Sequence, residues 1–295
     1  MRTEGIYGSL KKERIPSKAG DHPELDELEL LDDREHRKYQ MLIGILVWVV
    51  TIGCIDIAHA TSSLSRFTSA PRKGHLSRLL ILFGYLKRRP NKTIIVDSRD
   101  PIYRGGENLI SKDYMQVLNS MYLDAREELD SESPKSMVDE MKITVFVDSY
   151  HAHDKISRRS ITGIVIFVGR TPVIYPSKRQ GAIECSTYSA EFVAMKTAVE
   201  ELTSLRYMLR CLGVKATCAS LVCGNNPGVI QNVTVSESLQ KKKHVAIAYH
   251  KVQETTASGI AHPIKTPRAN NYVDVLTKSQ VFSVFTFLVG GMMCG

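Results

Sequence analysis

The sequence predicts an α/β fold, namely a mixed five-stranded sheet with flanking helices, preceded by a small, mainly helical segment. The second half of the chain begins with short apolar runs, continues with one long helical stretch, and then returns to a short apolar run. Three sequential strands, a helix and then a parallel strand favour a mixed sheet that carries helices on its faces.

The strands of the second half are predicted from short apolar runs bounded by turn residues. They are Ile143–Asp148, Ile161–Val168, Val173–Tyr175, Ser220–Cys223 and, as a final strand or extended segment, Ile260–Ile264. Gly169–Pro172 suits a hairpin turn between the second and third of these runs.

The helices are predicted from apolar spacing and from the residues at their ends. Ser186 or Thr187 caps a long helix that continues to about Arg210 and ends at Gly213. Lys241–Gln253 is a further helix. Upstream, residues 36–58 and 75–87 are predicted helices, and Thr93–Val96 is a strand candidate.

These elements divide the chain into five parts. The predicted parts are a loosely structured N-terminal segment (1–35), a helical segment (36–104), an acidic linker (105–140), the α/β domain (141–280) and a C-terminal tail (281–295). Trp48 and Tyr85 are predicted to lie in the core.

Charge and cysteine content restrict the class of protein. The net charge is +8, and residues 141–280 hold 18 Lys and Arg against 9 Asp and Glu. That balance is typical either of a domain that binds a polyanion near bound cations or of a domain with a solvated basic surface. The six cysteines have no zinc-ligand spacing, which predicts reduced, mostly buried thiols and an intracellular protein, cytoplasmic or nuclear.

The apolar run Met41–Ile55 is short for a membrane span, which needs roughly 20 residues. A buried helix is therefore favoured over an anchor, and no membrane partner is predicted.

Acidic residues recur where strands and helices meet. Asp148 ends a strand, Glu191 lies early in the long helix, and Asp274 lies near the C-terminus. The fourth such place, after Ser220–Gly224, holds Asn225. Hydrolysis of a phosphodiester with two metal ions needs several carboxylates at the mouth of a sheet, and Mg²⁺ prefers such oxygen ligands. The order strand acid, helix acid, strand end and late acid is the layout of a ribonuclease H fold.

Flanking motifs strengthen this interpretation. The segments Val147–Gly163, Tyr175–Gln180, Ser186–Met195, Lys241–His250 and Val273–Lys278 resemble, in order, the ribonuclease H domain of copia-type retrotransposon polyproteins. Upstream, Tyr39–Gly44, Asp56–Phe67 and Gly84–Lys87 resemble the segment that follows the reverse-transcriptase core. The polymerase signature, an Asp-Asp pair in a turn, is missing. The pair Asp32-Asp33 does not supply it, because it lies in an acidic stretch that is predicted to be helical.

The resemblance implies a site and a reaction. It implies that Asp148, Glu191 and Asp274 are metal ligands, and that the ancestral site held two Mg²⁺ ions. It also implies that the ancestral reaction is cleavage of RNA in an RNA–DNA hybrid. The family pattern at 225–226 is Asp-Asn, whereas this chain has Asn225-Asn226, and Tyr150 replaces a further Asp. The amide of Asn225 is neutral, so the nuclease is expected to be weak or inactive.

Basic residues near these acids are candidate phosphate contacts. They are Lys178, Arg179, Lys241, Lys242 and Lys243. His151, His153 and Asp154 suggest either a metal site or, as the favoured interpretation, a loop surface. No small-molecule cofactor is predicted. The alternative function is a non-catalytic nucleic-acid-binding or scaffold remnant of a retroelement polyprotein.

Overall fold

The computed structural model describes residues 10–99, 112–127, 132, 134–136, 141–214, 216, 218–234, 245–268 and 271–294. Its helices are α1 (Asp33–Thr51), α2 (Ala58–Ser65), α3 (Lys73–Arg88), α4 (Lys112–Met121), α5 (Thr187–Cys211), α6 (Pro227–Thr234), α7 (Ala246–Ala257), α8 (Asp274–Thr277) and α9 (Phe282–Gly290). Its strands are β1 (Thr93–Ile94), β2 (Ile143–Tyr150), β3 (Ile161–Val168), β4 (Thr171–Ile174), β5 (Ser177–Arg179), β6 (Ser220–Gly224), β7 (Ala261–Lys265) and β8 (Met293–Cys294).

The main sheet is mixed, as predicted. Its strand order is β4-β3-β2-β6-β7; β3 is antiparallel to both of its neighbours, β2 and β4, whereas β6 and β7 are parallel to β2. The predicted number of five strands is too low by one, because β5 adds a short strand beside β3. Parallel pairing of β2 with β6 brings their carboxyl ends to the same edge of the sheet.

The long predicted helix is confirmed as α5. The Ser186 side chain accepts a hydrogen bond from the Ser189 amide, and Gly213 ends the helix with φ near 74°. The predicted helix Lys241–Gln253 begins in the described residues at Ala246; residues 241–244 lie outside them.

The single helix predicted over residues 36–58 is wrong. The chain turns at Gly53, whose φ of 122° is open to glycine but strained for other residues, and α1 and α2 lie on either side of this turn. Trp48 is 62% exposed and is not a core residue, whereas Tyr85 is fully buried. Asp32 caps α1 by accepting a hydrogen bond from the Glu35 amide at 2.8 Å, so it does not form a polymerase turn.

Two apolar clusters fill the space around the sheet. One cluster joins β2, β3 and β6 to α5, α6 and α7, with Phe192 and Val222 at its centre. The other joins Phe146 and Phe167 to α1, α2, α3 and α9. Alternation along β2 explains the division, because Val145 and Val147 belong to the first cluster and Phe146 to the second.

Two further contacts connect distant parts of the chain. In the predicted tail, α9 is followed by β8, and Met293 pairs with Ile94 of β1. In the predicted linker, α4 packs against α7, and the Tyr122 hydroxyl lies 2.6 Å from His250 Nδ1. The cysteines differ from the prediction, because four of the six are exposed. Within the described ranges, no helix is long and apolar enough to cross a membrane.

A candidate carboxylate site at the sheet edge

Asp148 is the centre of the candidate site. It lies near the end of β2 and is 4% exposed. One carboxylate oxygen accepts a hydrogen bond from Asn225 Nδ2 at 3.0 Å, and the other accepts one from Thr277 Oγ1 at 3.0 Å. The ends of β2, β6 and α8 therefore meet at this carboxylate.

The two asparagines after β6 have different roles. Asn225 donates to Asp148, as the parallel pairing of β2 and β6 predicts. The Asn226 side-chain oxygen instead accepts from the amides of Gly228 and Val229, at 3.0 and 3.3 Å, and caps α6. Only the first asparagine of the pair faces the acidic site.

Asp274 reaches the site because α8 lies very close to the sheet. Gly163 of β3 pairs with Asp148, and a Cβ atom at this glycine would lie 2.8 Å from Thr277 Cγ2. Only a glycine leaves room for α8 to approach. One Asp274 oxygen lies 3.0 Å from Lys278 Nζ, and the other is buried without a hydrogen-bond partner in the described part of the chain.

Glu191 enters the site from α5 and is 7% exposed. The backbone amide of Ser149 donates to its carboxylate. Gln180 positions this part of α5, because its Nε2 atom donates to the carbonyl of Ala190 at 2.9 Å and to Thr162 Oγ1 at 3.0 Å.

The three carboxylates repel one another electrostatically. Burial, and then the Asp274 charge, raise the pKa of Asp148 to about 6. Burial, followed by the charges of Asp148 and Asp274, raises the pKa of Glu191 well above its usual value. Lys278 lowers the pKa of both groups, so its ammonium acts on the whole cluster. Buried carboxylates under mutual repulsion form an environment that attracts a cation.

The donor set has the chemistry of a divalent-ion site but not its arrangement. Asp148, Glu191 and Asp274 offer the hard oxygens that Mg²⁺ prefers, and Asp274 has an unpartnered buried oxygen. However, no group of three or more described His, Cys, Asp and Glu side chains is arranged as a metal-ligand set. Both oxygens of Asp148 accept hydrogen bonds from protein groups, and Asn225 supplies no charge. A bound cation would have to displace at least one of these protein donors.

Two of the five predicted phosphate contacts lie in the described residues, and they differ in their surroundings. Lys178 is exposed on β5, whereas Arg179 forms an ion pair with Asp154 at 3.3 Å. Lys241, Lys242 and Lys243 lie outside the described residues.

The prediction that His151, His153 and Asp154 form a loop surface is wrong for the last two. His153 and Asp154 are 6% and 3% exposed, because Arg66 of α2 pairs with Asp154 at 2.6 Å and covers this loop.

Sequence reasoning assigned no role to Thr277, Lys278 or Gln180. Thr277 and Lys278 lie inside the motif Val273–Lys278, and Gln180 ends the motif Tyr175–Gln180, so their places in those motifs were the available signal. Thr277 and Lys278 contact the acids because of the position of α8, whereas Gln180 contacts Ala190 near the start of α5.

The fold is an α/β fold with a mixed sheet and flanking helices, and the acids at the edge of its sheet include Asp148, Glu191 and Asp274. The curated homologues of the chain are copia-type retrovirus-related Pol polyproteins from plant transposons. The Pol polyprotein from transposon RE1 of Arabidopsis thaliana is 23% identical over 241 residues, which cover 82% of this chain and 14% of the relative. The Pol polyprotein from transposon TNT 1-94 of Nicotiana tabacum is 22% identical over 240 residues, which cover 81% of this chain and 15% of the relative.

The chain thus spans about one seventh of the length of these relatives. No family model matches it. Among solved structures, RNase H1 from the archaeon Halobacterium salinarum NRC-1 has a TM-score of 0.36 at 16% identity and covers 46% of this chain and 93% of that one. LC11-RNase H1 in complex with an RNA/DNA hybrid has a TM-score of 0.36 at 17% identity, with coverage of 46% and 93%.

Proposed function

We propose that this chain is a ribonuclease H-like module of a copia-type retroelement whose nuclease site has lost one ligand. It binds RNA–DNA hybrid through its basic half and cleaves the RNA strand weakly or not at all. The observation that carries this proposal is the contact of Asn225 with Asp148. An amide that donates a hydrogen bond stands where the resemblance expects a second carboxylate. We also propose an intracellular location, cytoplasmic or nuclear.

The remaining acids would bind the metal, and two neighbouring side chains orient them. Asp148, Glu191 and Asp274 would hold Mg²⁺, which when bound activates a water molecule and stabilises the leaving oxygen of the phosphodiester. Gln180 holds the start of α5 and so orients Glu191. Thr277 orients Asp148 through its hydroxyl group. Burial of the site limits competing water, which strengthens every electrostatic interaction within it.

Loss of one carboxylate weakens such a site for two reasons. Asn225 contributes no negative charge to hold a second ion, and its Nδ2 group occupies one oxygen of Asp148. Removal of one electrostatic contact in an active site commonly costs about 10²-fold or more in rate.

The test compares Mg²⁺-dependent cleavage of a labelled RNA–DNA hybrid by the natural chain and by Asn225→Asp. We expect the variant to cut at least about 10²-fold faster. Asn226→Asp is the matched control: it makes the same chemical change one residue away, at the α6 cap, and should not restore cleavage. Adding Asp148→Asn to the Asn225→Asp chain should abolish cutting.

Equal cutting by the natural chain and Asn225→Asp would show that the amide is tolerated and that the lost-ligand proposal is wrong. If both chains fold but neither cuts, the non-catalytic binding or scaffold role is the better function.

One observation favours that second function. Both oxygens of Asp148 are already paired with protein donors, so this carboxylate has its hydrogen bonds without a metal. A binding module should hold a hybrid duplex in EDTA with an affinity that falls as salt rises, because phosphate contacts release counterions. Absent or salt-insensitive binding would exclude it.

A further inference from the structure

A cavity of about 350 Å³ lies between residues 16–28 and the helices α2 and α3. This volume is within the range of sites that bind small molecules, roughly 300–1,000 Å³. Its apolar wall is formed by Pro16, Pro23, Leu28, Ala60, Leu64 and Ile81. The described residues that line it include none of those that form the carboxylate site, so the cavity is a separate place on the molecule.

The wall formed by residues 16–28 is fixed by α3 of the same chain. Arg78 Nε lies 2.9 Å from a carboxylate oxygen of Asp21, and Arg78 Nη1 lies 2.6 Å from one of Asp26. Gly74 allows this close packing, because a Cβ atom at its position would overlap the Asp26 carboxylate. Protein contacts therefore shape the cavity in advance, as is usual for small-molecule sites.

The charged side chains of the lining leave no net charge. Lys18 and Arg78 supply two positive charges, and Asp21 and Asp26 supply two negative ones. Arg78 already pairs with both carboxylates. An ionised ligand would lose part of its hydration and would meet no excess of opposite charge, which makes its transfer far more costly than that of an uncharged molecule. The cavity therefore suits an uncharged ligand.

His59 supplies a hydrogen-bond acceptor that lacks a donor. It lines the cavity, is 6% exposed, and its Nδ1 atom has no hydrogen-bond partner in the described part of the chain. Burial lowers its pKa to about 3, so the ring is neutral, and the backbone carbonyl of Leu276 accepts a hydrogen bond from it. Because a neutral imidazole has one donor and one acceptor nitrogen, Nδ1 is the acceptor. The serine hydroxyls of the lining, in contrast, already have protein partners.

We propose that this cavity binds a small, uncharged, largely apolar molecule that donates one hydrogen bond to His59 Nδ1. Aromatic alcohols and aromatic N–H heterocycles form this class, because their flat body suits the apolar wall and their donor suits the buried acceptor. The site goes beyond the proposed function and does not depend on it, since cleavage of a hybrid and binding in this cavity use different residues.

The test uses indole and benzofuran as probes of the full chain, in titrations followed by saturation-transfer NMR. The two molecules have nearly the same shape, but only indole carries an N–H donor. We expect indole to bind about 5-fold more tightly than benzofuran, which is the effect of one hydrogen bond to a buried acceptor. His59→Gln keeps a side-chain donor for Leu276 but removes the Nδ1 acceptor, so it should bind both probes with the affinity of benzofuran.

A second variant blocks the cavity without changing His59. Ser77 is an exposed residue of α3 in the lining, and its hydroxyl donates to the carbonyl of Lys73 at 3.0 Å. Ser77→Trp should reduce the affinity for both probes by at least about 10-fold, since the larger ring fills the space of the ligand. Ser204→Trp is the matched control, because Ser204 is also exposed on a helix and donates to the carbonyl of Glu200 at 3.1 Å. It should bind both probes as the natural chain does.

Three results would overturn the inference. They are absence of indole binding by the folded natural chain, equal affinity of that chain for indole and benzofuran, and equal losses of affinity in Ser77→Trp and Ser204→Trp. If His59→Gln fails to fold, the probe pair and the two tryptophan variants still decide. None of these results concerns Asn225, so hybrid cleavage continues to decide the proposed function separately.

Discussion

Acidification should destabilise the chain through two histidines buried between α2 and the loop after β2. The rings of His59 and His153 have centroids 5.8 Å apart, and each residue is 6% exposed. Their Nδ1 atoms have no hydrogen-bond partner in the described part of the chain. Burial is the main reason that the pKa is lowered to about 3 for His59 and about 4 for His153. For His153, Glu24 opposes the shift, and Arg66 adds to it.

The direction in which stability changes with pH follows from proton binding. The unfolded chain protonates each histidine as the pH falls below about 6.5, whereas the folded chain does not do so until the pH is far lower, so stability is lost in this window. At about pH 5 the loss is about 2 kcal/mol for each histidine. Asp148 acts oppositely, because its raised pKa of about 6 lets the folded state take up a proton first. That proton uptake offsets about 1 kcal/mol of the loss in stability, and proton uptake by Glu191, whose pKa is also raised, offsets more of it.

The assay is urea unfolding of the natural chain and of His153→Gln at about pH 7 and about pH 5. Glutamine carries no titrating charge, so this variant should lose about 2 kcal/mol less than the natural chain between the two pH values. His250→Gln, at an exposed histidine bonded to Tyr122, should show the natural pH dependence. The reasoning is refuted if His153→Gln and the natural chain lose the same stability on acidification.

Three other substitutions should change stability in predictable directions. Lys92→Met removes the ammonium 3.0 Å from the buried Asp56 carboxylate, which keeps the hydrogen bond from the Tyr85 hydroxyl but loses its opposite charge, and should cost about 3–5 kcal/mol in urea unfolding. Asp148→Asn should stabilise the metal-free chain by about 1–3 kcal/mol at neutral pH, because it removes a buried charge with a raised pKa. Arg206→Met should cost about 3–5 kcal/mol, because this buried arginine donates to Glu127 at 2.7 Å and to the carbonyls of residues 216 and 218.

Each of these predictions has a control or a contrary outcome. Lys251→Met removes an exposed pair with Glu254 and should change stability by less than about 1 kcal/mol, in contrast to Lys92→Met. A stable Lys92→Met chain would mean that Asp56 becomes neutral at little cost. A destabilised Asp148→Asn chain would show that the hydrogen bonds to Asp148 outweigh its repulsion. An Arg206→Met chain of natural stability would show that Glu127 and the carbonyls find other partners.

The main sheet could be predicted because its strands are apolar runs with clear ends. Ile161–Val168 was predicted with its observed limits, and α5 was predicted from its serine cap and terminal glycine. In contrast, β5 has only three polar residues, so no alternation marks it. The apolar run Met41–Ile55 concealed the turn at Gly53, because hydrophobicity continues through it.

The candidate site was predicted only in part, because some of its contacts leave no local pattern in the sequence. Motif order indicated four positions, and the contact between Asn225 and Asp148 links two of them directly. The role of Asp148, Glu191 and Asp274 as metal ligands stays a prediction. The contacts of Thr277 and Lys278 could not be predicted, because they depend on a helix of four residues that approaches the sheet at Gly163. Such an approach is a property of tertiary packing and leaves no local pattern.

The apolar cluster that joins the sheet to α1, α2, α3 and α9 limits how the chain can be shortened. A fragment of residues 141–280 would expose Phe146 and Phe167 to water. It would also lose Arg66, one of the two arginine partners of Asp154, and keep only Arg179 of the two. We expect this fragment to aggregate when expressed alone, and to become soluble when residues 10–99 are supplied as a separate chain. A fragment that is soluble and folded by itself would show that the helical segment is dispensable. The helical segment would then be unnecessary for folding, whereas its contacts with Phe146, Phe167 and Asp154 lead us to expect that the α/β domain depends on it.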